Sequence, residues 1–390
     1  MLRLRHLAVL ATCFVGSLSA FACGGDSDSS SSSTGGAGGA GGTGGATGKP
    51  DDVLPGRQPP PKGSGGPAAG SGDTVVALRK LFLGDTDYAG NPDPNAWREI
   101  GFNIDGIVST KNGTNHCKYQ EGATKSSVQT DGTDGIDNSF GSNLVKIIAS
   151  LAANPSSTIS ESLESGDFTI MLKMAKLEDK ADQTGINTGL YGGAKFDSMV
   201  ADCKATPTEV NCSPPKWSGA DKWPVLPELL TGGNIDTPKV SFPESYVVGG
   251  TWVSGSKGDL NLTVSIQGFN LALKITNAVI TADLAGVGAT AKATKGVIAG
   301  VIPTEQLIAE LKKVAGGFDQ TLCEGQTFES IAQQIRAASD IMQDGTNGDP
   351  AKLCDGISVG LGFEGQAVEL GGVAPAAAAP ADPCAGDGGA

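Results

Sequence analysis

Residues 259–284, DLNLTVSIQGFNLALKITNAVITADL, limit the possible folds more than any other stretch of this chain. Leu260, Leu262, Val264 and Ile266 alternate with more polar neighbours. After Gln267-Gly268 the phase shifts by one, and Phe269, Leu271, Leu273 and Ile275 alternate. Ala278, Ile280, Ala282 and Leu284 continue in a third phase. A period of two buries one face of a strand and leaves the other wet. Phase shifts mark turns or bulges, so the stretch predicts an antiparallel meander. Further strands are expected at FTIMLKMAKL from Phe168, SYVVGGTWVSG from Ser245, GVIAGVI from Gly296 and ISVGLGF from Ile357.

Helical spacing is rarer. SNLVKIIASLAAN (142–154) starts at a serine and stops before Pro155. PTEQLIAELKKVA (303–315) has proline in its first turn and sets Leu307, Leu311 and Val314 on one face. TFESIAQQIRAASDIM (327–342) starts at Thr327 and stacks Ile331, Ile335, Ala338 and Met342. The pattern predicts a mainly β fold, an antiparallel β-sandwich-like domain with a few helices. An α+β arrangement is the alternative. The 58 glycines suit many tight turns.

Composition divides the chain. Residues 24–73 lack aromatic side chains and almost lack aliphatic ones. Such a segment buries too little apolar surface to offset its ordering entropy, so 23–73 reads as a disordered Gly/Ser/Pro-rich tether. A flexible coil of that length spans about 40 Å. Folded sequence is expected over 74–372. Residues 373–390 form an Ala/Pro/Gly-rich tail that holds Cys384, and a disulfide there would pin the tail to the domain.

The first residues are MLRLRHLAVLATCFVGSLSAFAC. Arg3 and Arg5 precede an apolar run from Leu7 to Val15, then small residues, as in a secretory signal over 1–22. Its apolar core is too short to span a bilayer as a mature helix. The stretch resembles the lipobox of bacterial lipoprotein precursors, with Ala20 where that pattern usually has Leu. The resemblance covers residues 1–23 and implies lipidation at Cys23. With Gly24 following, it implies the outer membrane, on its periplasmic face or the cell surface. Cleavage after Ala20-x-Ala22 by an ordinary signal peptidase is the competing reading. Cysteine arithmetic favours lipidation. Cys13 leaves with the signal, and a lipidated Cys23 leaves six: Cys117, Cys203, Cys212, Cys323, Cys354 and Cys384. An even number suits an oxidising compartment. The preferred pairing is Cys323 with Cys354, Cys203 with Cys212, and Cys117 with Cys384.

DGTDGIDNSFG (131–141) is the candidate ion site. Asp131, Asp134 and Asp137 stand three apart among glycines, and calcium wants several converging oxygens. EF-hand spacing needs acids at positions one, three and five, so that motif fails. The stretch resembles one partial copy of the Asp/Gly-rich calcium repeats of extracellular proteins. Asp-Gly is also among the commonest turn dipeptides, and simple turns are the favoured reading, with calcium the alternative. DGTNGDP from Asp344 echoes the stretch, and GDTDYAGNPDPN (84–95) is a third oxygen-rich loop. Trp217 and Trp223, in PPKWSGADKWP, are candidates for stacking on sugar rings, although core or loop anchoring is the favoured reading.

After loss of the signal His116 is the sole histidine, and no G-x-S-x-G, HExxH, C-x-x-C or P-loop occurs. No cofactor other than calcium is suggested. The net charge of −14, without a basic patch interleaved with aromatics, argues against nucleic acid as a partner. Three classes remain. The chain reads first as an envelope-tethered binding module, anchored by N-terminal lipid and recognising polysaccharide or an envelope protein. A structural lipoprotein without a small ligand is the second. A secreted hydrolase using paired carboxylates is the third.

Overall fold

A computed structural model describes residues 56–151, 153–200, 203–204, 210–266, 269–318, 322–323, 325–376 and 384. The expected signal, Cys23 and the tether up to residue 55 lie outside these residues.

The strands are β1 (Thr74–Phe82), β2 (Thr169–Met174), β3 (Gln183–Gly193), β4 (Lys222–Val225), β5 (Val240–Val248), β6 (Thr251–Val253), β7 (Gly258–Ile266), β8 (Phe269–Ala285), β9 (Lys292–Pro303), β10 (Gly356–Ala367) and β11 (Glu369–Val373). The α-helices are α1 (Lys125–Val128), α2 (Val145–Leu151), α3 (Pro155–Ser165), α4 (Thr304–Phe318) and α5 (Gln326–Ala337).

Eight strands close on themselves. Around the ring β1-β2-β3-β5-β6-β8-β9-β10 every neighbouring pair is antiparallel, and β10 returns to β1. The fold is therefore an up-and-down barrel rather than the expected sandwich. The deciding contact is β3 with β5, where Ile186 lies opposite Ser245 and Leu190 opposite Val240. Alternation reports which face of a strand is buried, but not which strand it meets after the β4 excursion. β4 and β11 extend the sheet outward from β3 and run parallel to each other. β7 pairs with the first part of β8 as a hairpin, with Ile266 opposite Phe269. The third phase of the 259–284 stretch is no separate strand. β8 continues through it, with a left-handed Asn277 (φ 53°) where its register to β9 shifts.

One face of each barrel strand feeds a single apolar cluster. Leu78, Leu172, Ile186, Val247, Trp252, Ile280, Ile298 and Phe363 represent the eight strands in turn. Residues of the opposite face, such as Ala77 and Met171 or Val279 and Val297, join separate clusters outside. The shared cluster is the lumen, filled by side chains as expected for a barrel of this size. Phe363 needs its neighbour to be bare: Gly296 lies opposite, and a Cβ there would stand 2.5 Å from the ring.

Helix α3 completes the wall. β1 pairs with β2 only as far as Ala77, so the later part of β1 has a free edge. Ser160 Oγ accepts from the Leu81 N–H and donates to its carbonyl, and Ser156 Oγ accepts from the Leu83 N–H. Ile159 and Leu163 then add to the lumen cluster. Pro155, expected to end a helix, instead starts α3. Proline's missing N–H has no intrahelical partner to lose in a first turn.

Part of the expected tether is ordered. Residues 56–73 run along the barrel as a strap. The Arg57 N–H donates to the Asp134 carbonyl, and the Arg57 carbonyl accepts from Asn103. The Tyr246 hydroxyl donates to the Pro60 carbonyl. The Ala68 N–H donates to the Thr184 carbonyl, and the Thr184 N–H to the Gly66 carbonyl. A Cβ at Gly65 or Gly70 would lie 2.6 Å from main-chain atoms of β3 or the turn before it. Residues 56–73 therefore pack with the barrel, because glycines that read as flexibility in the sequence are here required for close approach.

All six expected cysteines are bridged: Cys117–Cys354, Cys203–Cys212 and Cys323–Cys384. The short loop pairs as expected. The other two pairings are exchanged, because β10 carries Cys354 away from α5 and next to the 117 loop, where the Cys354 N–H donates to the Lys118 carbonyl. Cys323 is left to hold the tail. Such bridges belong to an oxidising extracytoplasmic compartment. No described helix is long and apolar enough to cross a membrane.

Candidate functional site

β10 has two unlike faces. Ile357, Val359, Leu361 and Phe363 enter the lumen cluster. Ser358, Gly360 and Gly362 face outward, where Ser139 and Asn138 of the stretch 131–141 meet Ser358 and Gly360, and Tyr88 covers Gly362. A Cβ at Gly360 would overlap the Ile100 carbonyl, so loop and strand meet backbone to backbone. Asn138 joins them. Its Nδ2 donates to the carbonyls of Trp97, Ile100 and Gly360, and its Oδ1 accepts from the N–H groups of Gly141 and Gly360. The Ser139 N–H donates to Ser358 Oγ, and the Ser139 hydroxyl to the Ala338 carbonyl. Asp340 accepts both the Ser358 N–H (2.8 Å) and its hydroxyl (2.5 Å).

The three candidate aspartates serve different partners. Asp137 is buried, and its Oδ2 accepts from the N–H groups of Ile104 (2.6 Å) and Asp105 (3.3 Å). Asp131 accepts from the Ser109 N–H. Asp134 is exposed on a left-handed turn (φ 53°), where its carbonyl holds the strap. Among the described residues, no three His, Cys, Asp or Glu side chains gather as a metal-binding set. The echo at Asp344 splits the same way. Asp344 Oδ1 closes a local turn onto Thr346, while the Asn347 Oδ1 reaches across to accept from the Cys117 N–H. In the 84–95 loop, Asp87 and Asp93 accept from nearby backbone N–H groups as turn-formers.

Burial makes the layer electrostatically unusual. Asp340 is pushed up to about 7, mainly because it is desolvated, against the pull of Ser358. Asp137 is held well above the usual carboxylate range by burial first, then by Asp105, Asp131 and Asp340. Burial also raises Asp105, which Ile107, Asn347 and Lys257 counteract. Asp105 Oδ2 is shielded and has no hydrogen-bond partner in the protein. His116 lies near this layer, with Nδ1 3.1 Å from the Ser109 hydroxyl, but both residues are buried.

The tryptophans pack within the domain. Trp223 is fully buried, donates to the Ala194 carbonyl, and lies against Phe196 and Trp217. With those neighbours it presents no ring face to a sugar. Trp217 is half-buried, donates to the Glu164 carbonyl and lies under the Arg79 guanidinium. It anchors its loop to α3.

Two surface clefts carry polar side chains. One, of about 340 Å³, lies where β1 and β2 meet the segment entering β11 and includes the Asp73–Lys173 ion pair. The other, of about 250 Å³, lies between β1, α3 and the 84–95 loop. Lys80, Phe82, Thr86, Ser157, Ser160 and Glu161 line it. Thr86 is 8% exposed, and its hydroxyl has no hydrogen-bond partner among the described residues. A buried, unsatisfied hydroxyl costs stability, so it is an unusual feature to find beside a cleft. Sequence reasoning missed Thr86, Asn138, Ser358 and Asp340. Comparison with protein-family models, curated proteins and solved structures finds no match to this chain.

Proposed function

We propose that this protein is a lipid-tethered domain of the bacterial envelope that binds a polyhydroxylated ligand, an envelope polysaccharide, in the cleft between β1 and α3. The lumen is filled by large apolar side chains, which leaves the outer surface to meet a partner. A barrel that spans lipid carries the reverse pattern, polar within and apolar without. The observation that carries the ligand assignment is Thr86, an unsatisfied hydroxyl among the described residues, in a cleft that also presents the Ser157 hydroxyl, the Lys80 ammonium and the Glu161 carboxylate over the buried Phe82. Groups of that kind, few and convergent, select a ligand by its hydroxyls. The Gly/Ser/Pro-rich composition of residues 24–55 and the resemblance at Cys23 support the anchorage.

The test is calorimetric titration of the mature domain with soluble fragments of envelope polysaccharide, before and after Thr86→Val and Glu161→Gln. Weakening by about tenfold or more in each variant, about 1.4 kcal/mol, is expected. Binding that neither substitution alters would remove the cleft from the assignment. Cross-linking to envelope proteins without any glycan binding would replace the reading by a structural lipoprotein. Anchorage is checked separately: Cys23→Ser should move the protein out of the membrane fraction, and an unmodified N-terminal Cys23 by mass spectrometry would refute lipidation.

A further inference from the structure

The layer between β10 and the loops 97–109 and 130–142 holds three carboxyl groups without a cationic partner. Asp137 accepts from the backbone N–H groups of Ile104 and Asp105, and Asp340 from the N–H and hydroxyl of Ser358. Asp105 accepts from the Ile107 N–H with one oxygen and has no partner for the other. The charged and titratable groups facing this layer come from every element around it. Asp131 approaches from the same loop as Asp137, and His116 from beside Ser109. Arg98 donates to the Asp131 carbonyl and Lys257 to the Ile104 carbonyl, so each of these cations meets a main-chain oxygen in the layer. Among the described residues, no lysine or arginine lies within ion-pair distance of Asp105, Asp137 or Asp340.

The strap is seated on this layer. The Arg57 N–H donates to the Asp134 carbonyl, the Asn103 N–H donates to the Arg57 carbonyl, and the Gln58 amide donates to the Asn103 carbonyl. Asn103 immediately precedes the two residues whose N–H groups hold Asp137.

We propose that this acid layer is a pH-sensitive clasp, which holds the loops and the strap to the barrel while its carboxyls retain protons and loosens them as those carboxyls ionise. The inference is independent of the ligand assignment above. A neutral Asp340 can donate to Ser358 Oγ, and a neutral Asp137 still accepts through its carbonyl oxygen. Ionising both places like charges together in a space with little water, where repulsion is weakly screened. The sign follows from burial. Asp340 has its folded value raised from 3.8 to about 7, and Asp137 is raised as well. A carboxyl raised in the folded state contributes its full stabilisation below the unfolded value and loses it as pH climbs through the folded one. The clasp is therefore firm near pH 4 and slackens between about pH 5 and 8. The site of loosening is the start of the strap, so alkalinity would release Arg57 and Gln58 from the barrel.

The test is amide exchange on the full mature protein across pH 5–8, corrected for the intrinsic pH dependence of exchange. Corrected protection at Ile104, Asp105 and Ser358 is expected to fall by about tenfold or more, and protection of the β8–β9 ladder to change less. Asp340→Asn and Asp137→Asn should each flatten the fall. A carbon-13 titration of the aspartate carboxyls in the unsubstituted protein decides the matter even if the variants fail to fold. Ionisation of Asp340 in the ordinary range near 4, or a fall in protection that is equal in the ladder and at the clasp, would overturn the proposal.

Discussion

The two faces of β10 are stabilised by different physics, and they differ in how they should fail. The inner face, Ile357 to Phe363, is held by contact and by exclusion of water. It has no direction and tolerates anything apolar of the right volume. The outer face is held at Ser358 and Gly360 by named hydrogen bonds to Asn138, Ser139 and Asp340. Its net worth per bond is small, but each buried group left unmade is costly. One strand thus joins a plastic interior to a brittle exterior.

The largest effect is expected from the inner face. Phe363→Ala removes a fully buried ring beside Gly296, where the neighbouring strand has no side chain to fill the space. A loss of about 3–5 kcal/mol in urea unfolding is expected, and Phe363→Leu should recover much of it. Equal losses in the two variants would show that the lumen depends on ring shape rather than on volume.

Removal of the Cys117–Cys354 bridge by paired serine substitution comes next. It ties the start of β10 to the 117 loop across 237 residues of sequence. A loss of about 2–5 kcal/mol is expected. The deficit should appear first as faster exchange on the outer face. If the lumen loosens first, the two faces are one cooperative unit and the contrast between them fails.

Asn138→Ala should cost about 2–4 kcal/mol, because it strands donors and acceptors that five hydrogen bonds now satisfy. Asn138→Asp is the sharper probe. It keeps the shape and the acceptor but replaces the amide donor and adds another carboxyl to the acid layer. It should be tolerated at low pH and fail as pH rises, whereas Phe363→Ala should show no such dependence. Thermal unfolding of both variants at pH 4.5 and 8 distinguishes them.

The contrast also explains what could be read in advance. The inner face was legible because alternation is local: ISVGLGF and residues 259–284 declare their buried positions by spacing alone. Closure into a barrel was not, since β3 and β5 recognise each other only in three dimensions. The outer face was hidden for the same reason, as Asn138 meets Gly360 from 222 positions away. A trace existed in Ser358, Gly360 and Gly362, three small residues on one face, which leave room for the Ile100 backbone at Gly360 and the Tyr88 ring at Gly362. The strap at 56–73 was misread because composition measures what a segment can bury, not what its glycines can approach. The Asp131–Asp137 spacing offered an ion site or simple turns; in the fold Asp137 accepts from the Ile104 N–H and Asp131 from the Ser109 N–H, partners that spacing alone does not reveal.

The smallest effect concerns an exception within the lumen. Trp252 is fully buried there, and its indole N–H has no hydrogen-bond partner in the protein. Trp223, equally buried but outside the lumen, donates to the Ala194 carbonyl at 2.8 Å. Both Trp→Phe substitutions remove the same atoms, so their cavity costs should be alike to first order. They differ in polarity. Trp223→Phe leaves the Ala194 carbonyl without its indole donor, whereas Trp252→Phe removes a donor that was already unmet. Trp252→Phe should therefore be milder by about 1 kcal/mol, measured by urea unfolding of the two variants under one condition. If the order reverses, the Trp252 ring is held by shape, against Phe242 at 6.3 Å among its neighbours. In that case the lumen is less plastic than its composition implies, and its difference from the outer face of β10 is one of degree.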